Sequence, residues 1–494
     1  MRRPARLPLA RARLFSVSSE TVPIKVMTGW ALPGLLVASF GVLLTLLSSR
    51  FGYDFGVSEM PVIEMTAVLI LAGFAYCFFL PIHISRSRLD GHALRLAVAC
   101  IVVAGLAARL ALLASEPILE DDYQRYLWDG AVTANGHNPY AVAPQDAKNP
   151  DSELNRLADD SNVVVDRINH ASLKTVYPPV AQVAFGLAYT LKPWSLVAWR
   201  LVLLAFDVTT LALILLLLRE VGRSPLWSAL YWWNPLVIKE LFNSAHMEAV
   251  VLPFVLGALF LAMRNRTVPA VLSLAVATGA KIWPVLLLPL ILRGSVRNTK
   301  TLVCASLVFA IVAAVWMVPI WLGGIDASSG FVAYASRWDT NSALFPVLER
   351  TTALVLPLFT VPAETAGTVV RCAIAASLGA LAIAISVKPI GSADELLGRA
   401  SIVVAALVLL SPAQFPWYVV WFAPFLPFRP WFGFLLLTAT APLYYLGFYF
   451  FAQQQPDIAG DVIVWLVWVP VWAALIYDIA RRTRATAREA VADV

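Results

Sequence analysis

The sequence predicts an all-α integral membrane protein, a polytopic helical bundle, and two observations carry that prediction. Hydrophobic residues make up 60% of the 494 and charged residues only 14%, where a soluble chain carries roughly 25% charged. The apolar residues also gather in runs of about 20, the length an α-helix needs to cross the hydrocarbon layer. No polar stretch is long enough to make a soluble domain with its own core. The net charge of +6 does not indicate a nucleic-acid partner, because the basic residues sit in short clusters between apolar runs, as membrane proteins distribute them. Cys77, Cys100, Cys304 and Cys372 lie in or beside apolar runs and form no CxxC pair, which excludes a zinc-ribbon or redox motif.

Taken in chain order, residues 1–25 read as a basic cytoplasmic N-terminus and 26–113 as three N-terminal spans, over 26–48, 62–83 and 93–113. Residues 114–194 form an extracytoplasmic acidic loop after the third span, with interfacial helices that include the short apolar piece 177–191. A transmembrane bundle follows over 195–479, with clear spans at 195–218, 301–322, 366–387, 431–450 and 462–479. Residues 480–494 make a basic cytoplasmic tail. Four shorter apolar pieces between 226 and 292, and the pair 400–412 and 417–428, are broken by NPLVIKELFNSAH, RNRTVP, GAKIWP and SPAQFPWY. Counting them brings the total to roughly 14 spans. Proline and charge inside apolar sequence are tolerated only where protein or water satisfies the freed backbone groups, so the broken pieces are expected beside a cavity.

Basic clusters set the orientation. Arg86, Arg88 and Arg95; Arg219 and Arg223; Arg264 and Arg266; Arg293, Arg297 and Lys300; Lys388 and Arg399; and Arg481, Arg482, Arg484 and Arg488 all fall on one side when placed in the cytoplasm with the N-terminus. The same alternation puts the acidic loop, NSAHME, GAKIWP, the segment 321–345 and SPAQFPWY on the opposite side. Separate polar motifs thus converge on one face.

The loop opens with Glu120, Asp121 and Asp122, three consecutive acids just after a span. A carboxylate so placed can act as general base toward a sugar hydroxyl or hold a divalent cation. Tyr123, Tyr126 and Trp128 are interleaved with these acids and suit the apolar faces of sugar rings. Asp207 and Arg200, both in the fourth span, read as a buried polar pair that keeps helices in register.

From this point the chain resembles the GT-C superfamily of polyprenyl-phosphate-sugar-dependent glycosyltransferases, and within it the bacterial mannosyltransferase-type enzymes. The resemblance is carried in order by Asp122, Tyr126, Gly136 and Asn138-Pro139-Tyr140, then Tyr177-Pro178-Pro179, Asn234-Pro235, Asn243, His246-Met247-Glu248 and Lys281-Ile282-Trp283-Pro284. Trp338, Asn341 and Pro416-Trp417-Tyr418 complete it. Two extra spans before the acidic loop depart from the family pattern, and Glu120 stands where some relatives have the first aspartate of a DxD pair.

What the resemblance implies is an inverting transfer of a hexose, by family default mannose, from a polyprenyl-phosphate donor to a lipid or glycan acceptor. A carboxylate, Asp122 by preference with Asp121 open, removes the acceptor proton. Lys281, His246 and Arg337 are the expected contacts of the departing phosphate. Glu120, Tyr126, Tyr177, Asn243, Glu248, Trp338, Asn341, Trp417 and Tyr418 are the expected substrate contacts. No metal site is expected, since no recognisable ligand spacing is present, although a divalent cation is conceivable. The expected location is a bacterial inner membrane, with the active site on the extracytoplasmic face. The competing reading is a transporter or flippase of a lipid-linked or anionic substrate, which the broken helices also suit.

Overall fold

The computed structural model describes the backbone of residues 24–492 and the side chains of 29–484. The basic segment before residue 24 and the side chain of Arg488 lie outside the described residues. The described chain is built of helices joined by turns and loops, and its β structure is one isolated parallel bridge between Thr340 and Ala413.

Each of the eight clear apolar runs is a helix. α1 (Ile24–Ser48), α2 (Val62–Arg86) and α3 (Gly91–Ala111) precede the acidic loop. The loop carries α4 (Asp122–Ala134) and α5 (Pro179–Leu191). Next come α6 (Leu196–Glu220), α7 (Leu252–Met263), α8 (Thr267–Ala280), α9 (Thr299–Leu322), α10 (Ala366–Val387), α11 (Ala393–Leu410), α12 (Phe432–Thr440) and α13 (Val464–Ala492). Among the described residues, eight helices are long and apolar enough to cross a membrane, or nine if the bent pair Pro235–Asn243 and Met247–Met263 counts as one span. The expected count of roughly 14 is not reached, and the difference lies in the interrupted pieces. Within 226–292 the helices run from 4 residues in Pro235–Ile238 to 14 in α8, because Pro235, Pro253, Pro284 and Pro289 each remove a backbone donor. Segment 417–428 forms short 3₁₀ turns, Pro416–Trp421 and Ala423–Phe425.

The piece 177–191 makes α5, whose 13 residues are too few to span. It packs closely on α4, where a Cβ at Gly130 would meet the Phe185 carbonyl oxygen at 2.5 Å. Tyr126 of α4 then stacks on Phe185 of α5, with ring centroids 4.8 Å apart. Asp129 of α4, buried, accepts from Thr175 Oγ1 at 2.5 Å and from Gln182 Nε2 at 3.1 Å, and pairs with Arg125 at 3.2 Å. These bonds tie the two loop helices into one unit.

The bundle is pinned by a buried ion pair that differs from the one expected. Asp207 does not meet Arg200. Its carboxylate takes the Arg109 Nε of α3 at 2.6 Å, with both side chains wholly buried, and also accepts from the Tyr231 hydroxyl. Arg109 further donates to the Gly105 and Trp232 carbonyls and lies over the Trp232 ring at 3.5 Å. Arg200 instead points toward the loop end. Spacing within one helix was a poor guide here, because side chains seven residues apart share a face but are too distant to touch.

Replacing Asp207 by Leu leaves a buried guanidinium without its counter-ion, and the detergent-solubilised protein should lose about 3–5 kcal/mol of stability. The double variant Arg109→Met, Asp207→Leu should recover most of that. Thermal unfolding of the three proteins in one detergent checks this, and identical melting of single and double variants contradicts it.

Candidate functional site

The site is built on the bend between Pro235–Asn243 and Met247–Met263, whose halves meet at 101°. Asn234 starts the first half by accepting from the amides of Leu236 and Val237 at 3.0 and 3.2 Å. The half ends in a π-helical turn, Lys239–Asn243, and the chain reverses through Ala245 at φ +60°. Such a bend frees backbone carbonyls in an apolar interior, where each needs a partner. Arg200 Nη2 donates to the Asn243 carbonyl at 2.6 Å, and Trp199 Nε1 to that of Ala245 at 2.7 Å.

Asn243 joins the bend to the start of the acidic loop. Its Oδ1 accepts from the Ile118 amide at 3.1 Å, and its Nδ2 donates to Ser115 Oγ at 3.1 Å and the Glu116 carbonyl at 2.8 Å. Arg200 Nη1 adds a bond to the Ser115 carbonyl at 2.7 Å. Asn243, expected to touch substrate, is wholly buried, and its amide is taken up by the loop.

The joint brings Glu120 and Asp122 onto His246. Glu120 Oε2 lies 3.7 Å from His246 Nε2, Asp122 Oδ2 lies 3.7 Å from Nδ1, and Glu240 Oε2 lies 3.7 Å from Nε2. Trp417 stacks on the imidazole at 4.0 Å between centroids. None of these N···O distances is a hydrogen bond. Both His246 nitrogens, Glu120 Oε1 and Glu240 Oε2 are buried and have no hydrogen-bond partner among the described residues.

Asp122 is the acid of this cluster that reaches open space, with 30% of its side chain exposed. Its Oδ2 accepts from the hydroxyls of Tyr177 at 3.2 Å and Tyr126 at 3.4 Å. Withdrawal from water, reinforced by Asp121 and Glu248, pushes its carboxyl up to about 6. Burial likewise raises Glu120, against the opposing pull of Lys239. Asp121 turns elsewhere, accepting from Asn169 Nδ2 at 3.4 Å.

Beside this cluster, Lys281 at the end of α8 pairs with Glu248 and lies over the rings of Tyr418 at 4.7 Å and Trp421 at 5.1 Å. It keeps 20% of its side chain exposed, against 1% for Glu248. Tyr418 is fixed in turn by the Tyr334 hydroxyl at 2.8 Å. The sequence motifs from the loop, the bend, α8 and segment 415–421 therefore meet in one place. Three expected members stand apart or do other work. Arg337 is exposed, and no ion pair or hydrogen bond forms at it among the described side chains. Asn341, at φ +56°, donates to the Gln414 carbonyl at 2.9 Å, and its own carbonyl accepts from Trp468 at 2.7 Å. Trp338 packs edge-on against His170 at 4.8 Å.

Sequence reasoning missed Lys239, Glu240 and Tyr445. Lys239 and Glu240 are completely buried. Lys239 donates to Ser244 Oγ at 2.8 Å and to the Tyr445 hydroxyl, which donates to Glu240 Oε1 at 2.8 Å. The signal was two adjacent charges inside the apolar run NPLVIKELF, a costly arrangement unless satisfied. A groove of about 610 Å³ runs elsewhere, along Thr299–Ile311 of α9. Its aliphatic walls suit contact with lipid tails.

The family described as "Alpha-(1->6)-mannopyranosyltransferase, N-terminal domain" matches residues 30–297, a stretch that contains the loop, the bend and Lys281. The alpha-(1->6)-mannopyranosyltransferase A of Mycobacterium tuberculosis (strain ATCC 25618 / H37Rv) is 24% identical over 401 residues, covering 75% of this chain and 71% of its own. No solved structure matches the chain.

Asn243→Ala removes the acceptor of a buried amide and should cost about 1–3 kcal/mol, concentrated where the loop joins the bend. Hydrogen exchange of residues 115–122 should speed up while that of α9 and α10 is unchanged. Unaltered exchange in 115–122 would show that Asn243 does not hold the loop.

Proposed function

The chain belongs to this mannosyltransferase family and is a membrane glycosyltransferase, and from that premise we propose that it moves a mannosyl group from a polyprenyl-phosphate donor to a hydroxyl of an extracytoplasmic lipid or glycan, with inversion. The observation that carries the reading is Asp122, partly open and held by two tyrosine hydroxyls. Asp122 takes the proton of the acceptor hydroxyl as the acceptor oxygen attacks the anomeric carbon. The bond from that carbon to the phosphate oxygen breaks on the opposite face, and the lipid phosphate leaves with the electron pair. A carboxyl poised near 6 is a fitting base at neutral pH, ionised yet basic enough to accept a proton.

Lys281 is the group proposed to meet the departing phosphate. Before donor binds, Glu248 neutralises the ammonium, which would otherwise be costly in apolar surroundings. A phosphate that displaces Glu248 gains a charge-assisted bond without needing a new cation. Tyr126, Tyr177, Trp417 and Tyr418 would supply flat apolar faces for sugar and isoprenoid. The relative's name supports an α-(1->6) linkage, and hence a primary hydroxyl as acceptor. The basic clusters support placing the site on the extracytoplasmic face of a bacterial inner membrane. A transporter or flippase is not favoured, because the matched family is one of transferases.

Asp122→Asn should lower transfer from radiolabelled polyprenyl-phosphate-mannose by roughly 10²–10⁴-fold, with insertion and melting unchanged. Near-normal turnover sinks the assignment. For Lys281→Ala the expected result is a raised apparent KM for the donor with the acceptor KM unchanged; the reverse pattern would exclude Lys281 from phosphate binding. A cysteine placed at Asn149 should react with a membrane-impermeant maleimide from outside intact cells, and labelling only after lysis would invert the topology.

A further inference from the structure

We propose that Glu120, Glu240 and His246 bind a divalent transition-metal cation of the zinc class, held where the acidic loop meets the bend. One donor atom from each of the three lies within 4.8 Å of the other two. The independent observation is that each of the three carries a buried polar atom left without a hydrogen-bond partner among the described residues. His246 is wholly buried, yet both its nitrogens lack hydrogen-bond partners, as do buried Glu120 Oε1 and Glu240 Oε2. Desolvated polar atoms normally find partners, and an imidazole grouped with two carboxylates that leaves several unpaired is a set an ion would satisfy.

The spacing favours an ion over direct contacts. Both carboxylates stand 3.7 Å from His246 Nε2. Direct N–H···O bonds would close to 2.7–3.2 Å. Donors around a tetrahedral zinc, with bonds of about 2.0–2.2 Å, sit roughly 3.3–3.6 Å apart. An imidazole with two carboxylates is a donor set for zinc or manganese, whereas calcium takes oxygen alone and magnesium retains most of its water.

Further groups are arranged as ligand supports. Glu240 Oε1 is held by the Tyr445 hydroxyl at 2.8 Å and approached by Lys239 at 3.5 Å, which leaves Oε2 free to turn toward His246. The opposite imidazole nitrogen, Nδ1, faces Asp122 Oδ2 at 3.7 Å, the carboxylate–histidine arrangement that orients a metal-bound ring. The charges around the ion are then Glu120, Glu240 and Asp122 against Lys239, and a dication balances them. An ion on Nε2 requires the Nδ1–H tautomer, so the ring N–H points at Asp122. This consequence for positioning rests on Asp122 being the base, but binding of the ion does not.

Metal content therefore tests the proposal apart from transfer activity. Full-length protein, purified in detergent without chelator, should retain about one zinc or manganese per chain by elemental analysis. After stripping with chelator, added zinc or manganese should raise its melting temperature, and magnesium or calcium should not. Tyr445→Phe, which deprives Glu240 of a hydrogen bond, should weaken rebinding roughly 10- to 100-fold, and Glu240→Gln should weaken it further. A stripped protein that neither takes up nor is stabilised by zinc or manganese overturns the proposal. So does a folded Glu240→Gln variant that retains metal as the unaltered protein does.

Discussion

A chain that breaks its helices inside a membrane bundle must itself supply the hydrogen bonds that water would otherwise have made. That constraint organises this molecule. The bend at 243–247 frees carbonyls at Asn243 and Ala245, and two side chains of α6, Arg200 and Trp199, satisfy them. Asn243 then spends its own amide on Ser115, Glu116 and Ile118, so the repair of the bend also fixes the start of the acidic loop. Glu120 and Asp122 follow within a few residues, and the rigidity of the repair is what sets them against His246. The geometry of the candidate site is a by-product of backbone satisfaction.

A second consequence concerns charge. The region around the bend carries Lys239, Glu240, His246 and Glu248 with almost no exposed surface, an arrangement that hydrocarbon surroundings penalise heavily. Glu248 is matched by Lys281 and Glu240 by Lys239 and Tyr445. His246 and the free oxygens of Glu120 and Glu240 are not matched. The unpaired remainder sits beside Asp122, the acid with access to open space. The Arg109–Asp207 pair is by contrast closed by a direct contact at 2.6 Å, although Arg109 Nη2 has no hydrogen-bond partner among the described residues.

Much of this was legible in the sequence. The eight long runs became helices because hydrophobic length is a direct physical requirement for crossing a bilayer. The loop, NSAHME, GAKIWP and SPAQFPWY were grouped on one side by the alternation of arginine clusters, and in the structure they meet through the Asp122–His246, His246–Trp417 and Lys281–Tyr418 contacts. The family was also legible, because its motifs are ordered along the chain. What could not be read were pairings between distant elements. Arg109 was invisible as a partner of Asp207, since nothing local connects α3 to α6. Asn243 looked like a substrate contact because it sits among motif residues, although its amide serves the backbone. The grouping of Glu120 with Glu240 and His246 had no ligand spacing to betray it, because its members come from two separate segments joined only by the fold. The extent of the breaks in the apolar pieces between 226 and 292 could not be read either, as segments shortened by proline look like continuous spans in sequence.

The central claim is that the joint between loop and bend is where donor and base meet. A cryo-EM structure of the protein with an unreactive phosphonate analogue of polyprenyl-phosphate-mannose tests it most directly. The account predicts the anomeric carbon facing Asp122, the phosphonate drawn to Lys281 with Glu248 displaced, and the sugar against Tyr126, Tyr177 and Trp417. A donor analogue bound elsewhere, with the Lys281–Glu248 pair intact and Asp122 facing solvent, would contradict it.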